Sequence, residues 1–291
     1  MVIDNVTRAT KAFFPAVDSL DIFCHEQYPI YTTRIGDNVD YTGSEIQTCF
    51  TNLVQNFDSC LVATKNVDTE WHAIIQACEQ QYYDSGSGTY IYWRRPTKPE
   101  LFCQAFLAMS RGANGIHYYL YMSNVDSTNH PSSPPQNGWE MLGLVTDSRE
   151  KFEPYYSQVA QLDTQLAAIG PLILPLSADT AFNCDNIPAN NYIQDVQGDT
   201  SEAGTPTIEI GEFTDSTNPN WDYILLVNRR CSKDNNGTPA FPQNITLVTD
   251  KTSAYQLKDM VTEEIFVSSN GSFNNIVIAV SYTHLRAHET V

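Results

Sequence analysis

The 291 residues include 34 acidic and 16 basic side chains, for a formal net charge of −18. A charge of that sign repels phosphate backbones, and no basic cluster exceeds the pairs Arg94-Arg95 and Arg229-Arg230, which excludes nucleic acid as a partner. With 42% hydrophobic and 17% charged residues the composition is globular, and no apolar run reaches the ~18 residues that suggest a membrane span.

The first residues, Met1 to Thr7, lack the basic-then-apolar pattern of a signal peptide. Val2, Val6, Ala9 and Phe13 recur at helical spacing, and residues 20–24 then read as a buried strand. Thr42 and Glu45 form a capping-box pattern, followed by an apolar helical stripe of Ile46, Cys49, Phe50, Leu53, Val54 and Phe57. A second strand is expected over 71–78. Thr97 and Glu100 form another capping box, opening a helix with Leu101, Phe102, Ala105, Phe106 and Met109 on one side. Gly112 and Gly115 punctuate the turn into a third strand at 116–121. Tyr155, Val159, Leu162, Leu166 and Ile169 mark a further helix, with Gly170 and Pro171 predicted to stop it. Apolar strands separated by helices imply parallel strands covered by helices, an α/β arrangement.

After Pro171 the helical stripes give way to short strand-like runs at 207–213, 223–228, 244–249, 255–257, 265–267 and 276–280. Asn270-Gly271 is a hairpin signal. Many short strands separated by polar turns predict an all-β sandwich. The expected organisation is an α/β domain over 1–171, a β-sandwich over 172–280 and a separate tail at 281–291.

Seven cysteines (24, 49, 60, 78, 103, 184 and 231) include no Cys-x-x-Cys pair, which argues against a zinc or redox site, and an odd count leaves at least one thiol free. His25, His72 and His117 fall on separate predicted strands and no two share metal-ligand spacing, so a packed, hydrogen-bonded histidine is expected at each and no metal. The Asp/Asn-rich stretches 184–200 and 214–222 lack the regular spacing of a calcium loop. No cofactor motif is present.

The order of several motifs resembles the last part of a (β/α)8-barrel (TIM-barrel) glycoside hydrolase of the β-galactosidase and agarase-like kind. Residues 23–30 (Phe-Cys-His-Glu-Gln-Tyr-Pro-Ile) are similar to a strand-end "D-x-Y-P" segment, with Glu26 where Asp is usual. Residues 71–77 resemble a penultimate barrel strand ending in "x-x-Q-A". Arg95-Pro96-Thr97, Glu100 and 112–116 are similar to "R-x-P-T-x-x-E … G-A-x-G-I", which leads into the final strand. Runs 223–228, 243–247 and 258–259 resemble the β-sandwich appended to such barrels. Residues 280–291 resemble a translated sequencing adapter.

The resemblance implies a partial TIM barrel, about its last three βα units, followed by an antiparallel β-sandwich. A whole barrel takes about 250 residues, whereas the sandwich pattern starts here near residue 172. The chain therefore reads as a fragment. The resemblance implies a parent that hydrolyses β-linked poly- or oligosaccharides and carries its acid/base upstream of Met1; it favours a secreted or periplasmic parent, while the compartment cannot be read from the sequence itself. The fragment is expected to be inactive alone. Barrel enzymes place their chemistry at the C-terminal ends of the strands, which makes Glu79 and Glu26 the catalytic candidates. Tyr28, Gln76, Trp93, Tyr119, Tyr121 and Trp139 are the candidate carbohydrate contacts, because aromatic faces with a polar edge suit sugar rings. Gln76 holds the strand-end position more directly than Glu79 and an amide is no nucleophile. That keeps open a second reading, a non-catalytic carbohydrate-binding or surface scaffold with a degenerate barrel.

Overall fold

The structure is a computed structural model that describes residues 2–4, 20–32, 43–65, 67–84, 89–125, 139–198, 208–219, 221–231, 242–250, 256–278 and 283–289. Its first sheet has four strands, β1 (Val2–Asp4), β2 (Ile22–Gln27), β4 (Glu70–Gln76) and β7 (Gly115–Tyr119), adjacent in that order and all parallel. Strand neighbours thus follow chain order, as successive strand–helix units dictate. β1 corrects the helical reading of Val2, since Val2 pairs with Cys24; Val6, Ala9 and Phe13 lie outside the described residues.

Phe23, Trp71, Ala73 and Ile75 point to one side of the sheet and are fully or almost fully buried. They meet α1 (Gly43–Thr64) through Phe50, Leu53, Val54 and Phe57 of the expected stripe, and through Cys60 one turn further on; Cys49 is half-buried and the side chain of Ile46 is outside the described residues. Thr42 of the first capping box is outside the described residues. α2 (Lys98–Met109) is buried at every position from Glu100 to Met109. A helix apolar all round must be covered all round, and α2 is enclosed by α1, β4 and the second half of the chain. Its capping box forms in both directions, with Glu100 N–H to Thr97 Oγ1 at 3.5 Å and Thr97 N–H to Glu100 Oε2 at 2.7 Å. Gly112, at φ +80°, ends the helix in the left-handed region and lets Ala113 N–H bond back to Ala108 O at 3.1 Å. α3 (Tyr155–Ile173) runs past the predicted stop. Pro171 lies inside its last turn on the solvent side, where the carbonyl it leaves without an amide can bond water.

A second sheet was not foreseen. It comprises β3 (Tyr31–Thr32), β5 (Glu79–Asp84), β6 (Thr89–Trp93), β8 (Asn124–Val125) and β9 (Trp139–Leu142), antiparallel in the order β3-β6-β5-β9-β8. Each of its strands comes from a segment that follows β2, β4 or β7. The connections leaving the C-terminal ends of three parallel strands therefore pair with one another.

Beyond α3, β10 (Ser177–Asn183), β12 (Ile208–Thr214), β13 (Trp221–Asn228), β18 (Thr283–Glu289), β15 (Gln256–Asp259) and β16 (Ile265–Val267) form one sheet. β11 (Ile193–Gly198), β14 (Gln243–Thr249) and β17 (Ser272–Ile278) form another. Phe182, Ile193, Ile210, Leu226, Ile245 and Phe273 belong to the buried cluster the two sheets share. At the hairpin, Asn270 (φ 51°) and Gly271 (φ 80°) are both left-handed, as the Asn-Gly signal requires. Residues set apart in the sequence as a tail supply β18, which pairs with β13 (Leu225 with Leu285) and β15 (Leu257 with His288).

β13 is buried on both faces. Ile224 and Leu226 join the sheet–sheet core, while Tyr223, Leu225 and Val227 join the core under the helices. At this junction Arg111, at the end of α2, bonds Asp58 (3.0 Å) and Glu209, and Arg229 bonds Glu209 (2.6 Å) and Thr51 (2.7 Å). Gly211 lies so close to Ser110 that a Cβ there would stand 2.1 Å from its carbonyl oxygen.

Candidate functional site

The C-terminal ends of β2, β4 and β7 gather most of the predicted site residues. Glu26 is the penultimate turnward residue of β2, and the Tyr28 hydroxyl donates to its carboxylate. The Tyr28 ring stacks on Tyr119 at the end of β7, with centroids 4.9 Å apart and planes at 24°. Burial, then the bond to Glu26, holds the Tyr28 hydroxyl far above its ordinary pKa, so it stays protonated and can donate to Glu26. The Tyr119 hydroxyl reaches Met141 Sδ of β9 at 3.8 Å.

Glu79 opens β5, and Tyr92 of β6 donates to its Oε1 at 3.0 Å. Burial and the Glu79 charge likewise raise the Tyr92 pKa. Between Glu26 and Glu79 in the chain's path lies Cys78, almost fully buried, with its thiol pushed up to about 12 by burial. The Arg95 charge opposes that rise, whereas Glu26 and Glu79 add to it, so Cys78 senses both carboxylates and stays protonated. Arg95 sits 3.8 Å over the Phe152 ring and 5.0 Å over Tyr155, and burial lowers its pKa. Arg94 is engaged elsewhere, in a two-pronged pair with Glu100 at 2.8 and 2.9 Å.

Gln76 ends β4 but presents nothing to a ligand. It is 0% exposed, its Oε1 accepts from Ile30 N–H at 2.9 Å, and its Nε2 donates to Ile30 O (3.3 Å) and Arg94 O (2.7 Å). Gln104 of α2 brackets its backbone, accepting from Gln76 N–H at 3.0 Å. Both amide hydrogens and the oxygen are therefore used to latch the segments after β2 and β6 onto the strand end. Trp93 closes β6, half-buried and opposite Tyr31 and Gln80. Tyr121 stands 62% exposed just beyond β7. Trp139 starts β9 opposite Tyr82; its side chain is outside the described residues.

Tyr92 and Met141 belong to this neighbourhood and are not evident in the sequence, because nothing in a single sequence shows that residues 79–93 fold back as a hairpin. One further grouping lies deeper along the same strands. Cys24, His72 and His117 present ligand atoms all within 4.8 Å of one another. His25 is not part of it; it points to the other face and meets the Phe57 ring edge-on at 6.2 Å.

No family model matches the chain, and no curated protein matches it. Similar solved structures include an α-amylase of Anoxybacillus (10% identity, TM-score 0.40, covering 97% of this chain and 56% of that one). An α-fucosidase of Thermotoga maritima (12%, 0.36, 96% and 55%) and a GH51 arabinofuranosidase of Xanthomonas axonopodis pv. citri (8%, 0.42, 99% and 57%) are also similar. These neighbours are glycoside hydrolases, and the chain spans little more than half the length of each. Identities of 8–12% with TM-scores near 0.4 assign neither family nor activity to this chain.

Proposed function

We propose that this chain is the C-terminal portion of a (β/α)8-barrel glycoside hydrolase with an appended β-sandwich, and that it takes a β-linked oligo- or polysaccharide at the C-terminal edge of its parallel sheet. The observation that carries the reading is the convergence of Glu26–Tyr28, Tyr119 and Glu79–Tyr92 at that one edge. Parallel strands in chain order are what an arc of such a barrel requires, and barrel enzymes build their sites at this end. In this reading Tyr28 and Tyr119 meet the C–H face of a sugar, Glu26 accepts from a sugar hydroxyl, and Glu79 is the nucleophile. Glycoside hydrolysis needs a second carboxyl group that donates a proton to the leaving oxygen; in this reading it comes from barrel strands other than β1, β2, β4 and β7.

The second reading, a carbohydrate-binding scaffold without turnover, is favoured by Gln76, a buried latch at the strand end where a catalytic carboxylate would be most direct. Calorimetric titration of the chain with β-galacto- and agaro-oligosaccharides tests both. Binding that Tyr119→Ala weakens supports a carbohydrate site, and failure to bind any member of the panel overturns it. The two readings part when the chain is expressed with its upstream coding sequence. Turnover abolished by Glu79→Gln selects the enzyme, and binding without turnover selects the scaffold.

A further inference from the structure

We propose that Cys24, His72 and His117 form a transition-metal site of the zinc class, with Cys24 Sγ, His72 Nδ1 and His117 Nε2 as ligands and a fourth position open. This inference is independent of the carbohydrate reading. The three residues sit at the third position of β2, β4 and β7, on the sheet face away from the helices. Cys24 and His72 share one cross-strand row, and His117 stands in the next, the row of Glu26 and Ile74, two residues or roughly 7 Å further along the strands.

Register explains how residues some 45 positions apart converge. Cys24 is the direct neighbour of His72 across the β2–β4 ladder. On the other side His72 lies beside Gly115, not beside a side chain. A Cβ at position 115 would stand 2.7 Å from His72 Nδ1, so the imidazole occupies space that only glycine leaves free. Lying across Gly115, the ring reaches His117 two residues further along β7, with Nδ1 2.9 Å from His117 Nε2. Two ring nitrogens facing each other at that distance share one proton in the metal-free protein.

The separations suit the ion. Tetrahedral zinc with Zn–S about 2.3 Å and Zn–N about 2.0–2.1 Å sets its ligand atoms roughly 3.3–3.6 Å apart. The facing nitrogens, 2.9 Å apart, need open by only about 0.4 Å, and the thiol, within 4.8 Å of both, needs move inward by about 1.2 Å at most. The outer nitrogen of His72 is also placed as a metal ligand's should be, since Nε2 lies 3.5 Å from Glu70 Oε2. A carboxylate on the far nitrogen fixes tautomer and ring orientation, the usual support for a metal-bound histidine. One thiolate with two imidazoles is a borderline-soft donor set that favours zinc over calcium or magnesium. Binding releases the thiol proton to solvent.

The test uses the 291-residue protein, stripped with a chelator and titrated with Co2+, then back-titrated with Zn2+. One equivalent of Co2+ is expected to bind with a thiolate-to-cobalt charge-transfer band in the near ultraviolet, which Zn2+ then abolishes. Cys24→Ser, nearly isosteric, should remove the band. Glu70→Gln should leave the band but weaken binding about 10- to 100-fold. Far-ultraviolet circular dichroism reports whether each variant folds. His117→Gln, at an exposed position, carries the test if Cys24→Ser does not fold, and should weaken Co2+ binding at least as much as Glu70→Gln. Absence of saturable one-equivalent uptake, or a band that survives Cys24→Ser or His117→Gln at unchanged affinity, overturns the site.

Discussion

Replacing Glu209 by glutamine probes the contact between the two halves of the chain. Glu209 is 0% exposed on β12, and its carboxylate accepts from Arg111, from Arg229 at 2.6 Å and from Asn183 at 2.8 Å. Burial by itself would raise its pKa. The Arg111 and Arg229 charges, helped by the bonds from Asn183 and Arg111, outweigh burial and hold it down to about 2, against an ordinary 4.5. That displacement is worth about 3 kcal/mol at neutral pH. Because the folded value lies below the unfolded one, the unfolded chain takes up the proton first as pH falls. The contribution is complete above about pH 5 and is lost as pH drops from 4.5 toward 2. Glu209→Gln preserves shape but leaves two buried guanidinium groups without their shared counter-charge, a loss of roughly 3–5 kcal/mol. Arg111 retains Asp58 at 3.0 Å, which puts the expectation at the lower end. Urea unfolding of both proteins at about pH 7 and in steps down to about pH 3 should show a gap near 3 kcal/mol that narrows with acid. A gap under about 1 kcal/mol at neutral pH, or one that acid leaves unchanged, refutes the account.

Three other substitutions test the remaining structure. Gln76→Leu should cost about 1–3 kcal/mol for each backbone group it orphans at Ile30 and Arg94, read as a lowered urea midpoint. Gly211→Ala drives a Cβ to 2.1 Å from the Ser110 carbonyl, backbone against backbone, and should destabilise by about 1–3 kcal/mol or more in thermal unfolding. Thr97→Ala removes one arm of the α2 capping box and should cost about 1 kcal/mol, with Thr97→Ser recovering most of it.

What the sequence makes legible follows from what each element buries. β2 and β4 alternate into a helix layer, α1 carries a one-sided stripe, and Thr97 with Glu100 announces a helix start; each signal is local, and each forms. β13, apolar at five successive positions from Tyr223, is visible for a different reason, being covered on both faces. The antiparallel sheet over the strand ends escapes because its strands are short, come from three separate connections and find their partners only across them; β5 opens on the polar run Glu79-Gln80-Gln81, and the apolar β6, Thr89–Trp93, gives no sign of what it pairs with. β10 and β11 escape similarly: Ser177–Asn183 and Ile193–Gly198 have few apolar residues and gain their place from the strands beside them. The Cys24–His72–His117 group escapes because its members have no metal-ligand spacing along the chain. Here it runs across strands, through a register that only pairing reveals.

The polar groups at the sheet's C-terminal edge divide into two kinds. Gln76, Gln104 and the Arg94–Glu100 pair bond to backbone or to each other and fix the frame. Glu26 and Glu79 each keep a single tyrosine hydroxyl as partner among the described bonds, and in both cases the carboxylate oxygen is the acceptor. The donors are phenols whose protons are held tightly, since burial and the neighbouring glutamate raise both Tyr28 and Tyr92. Both are arranged as acceptors, one beside the stacked Tyr28–Tyr119 pair and one at the start of the β5–β6 hairpin. In the proposed carbohydrate reading, two such acceptors beside an aromatic pair would serve as a nucleophile and as a group that orients a sugar hydroxyl.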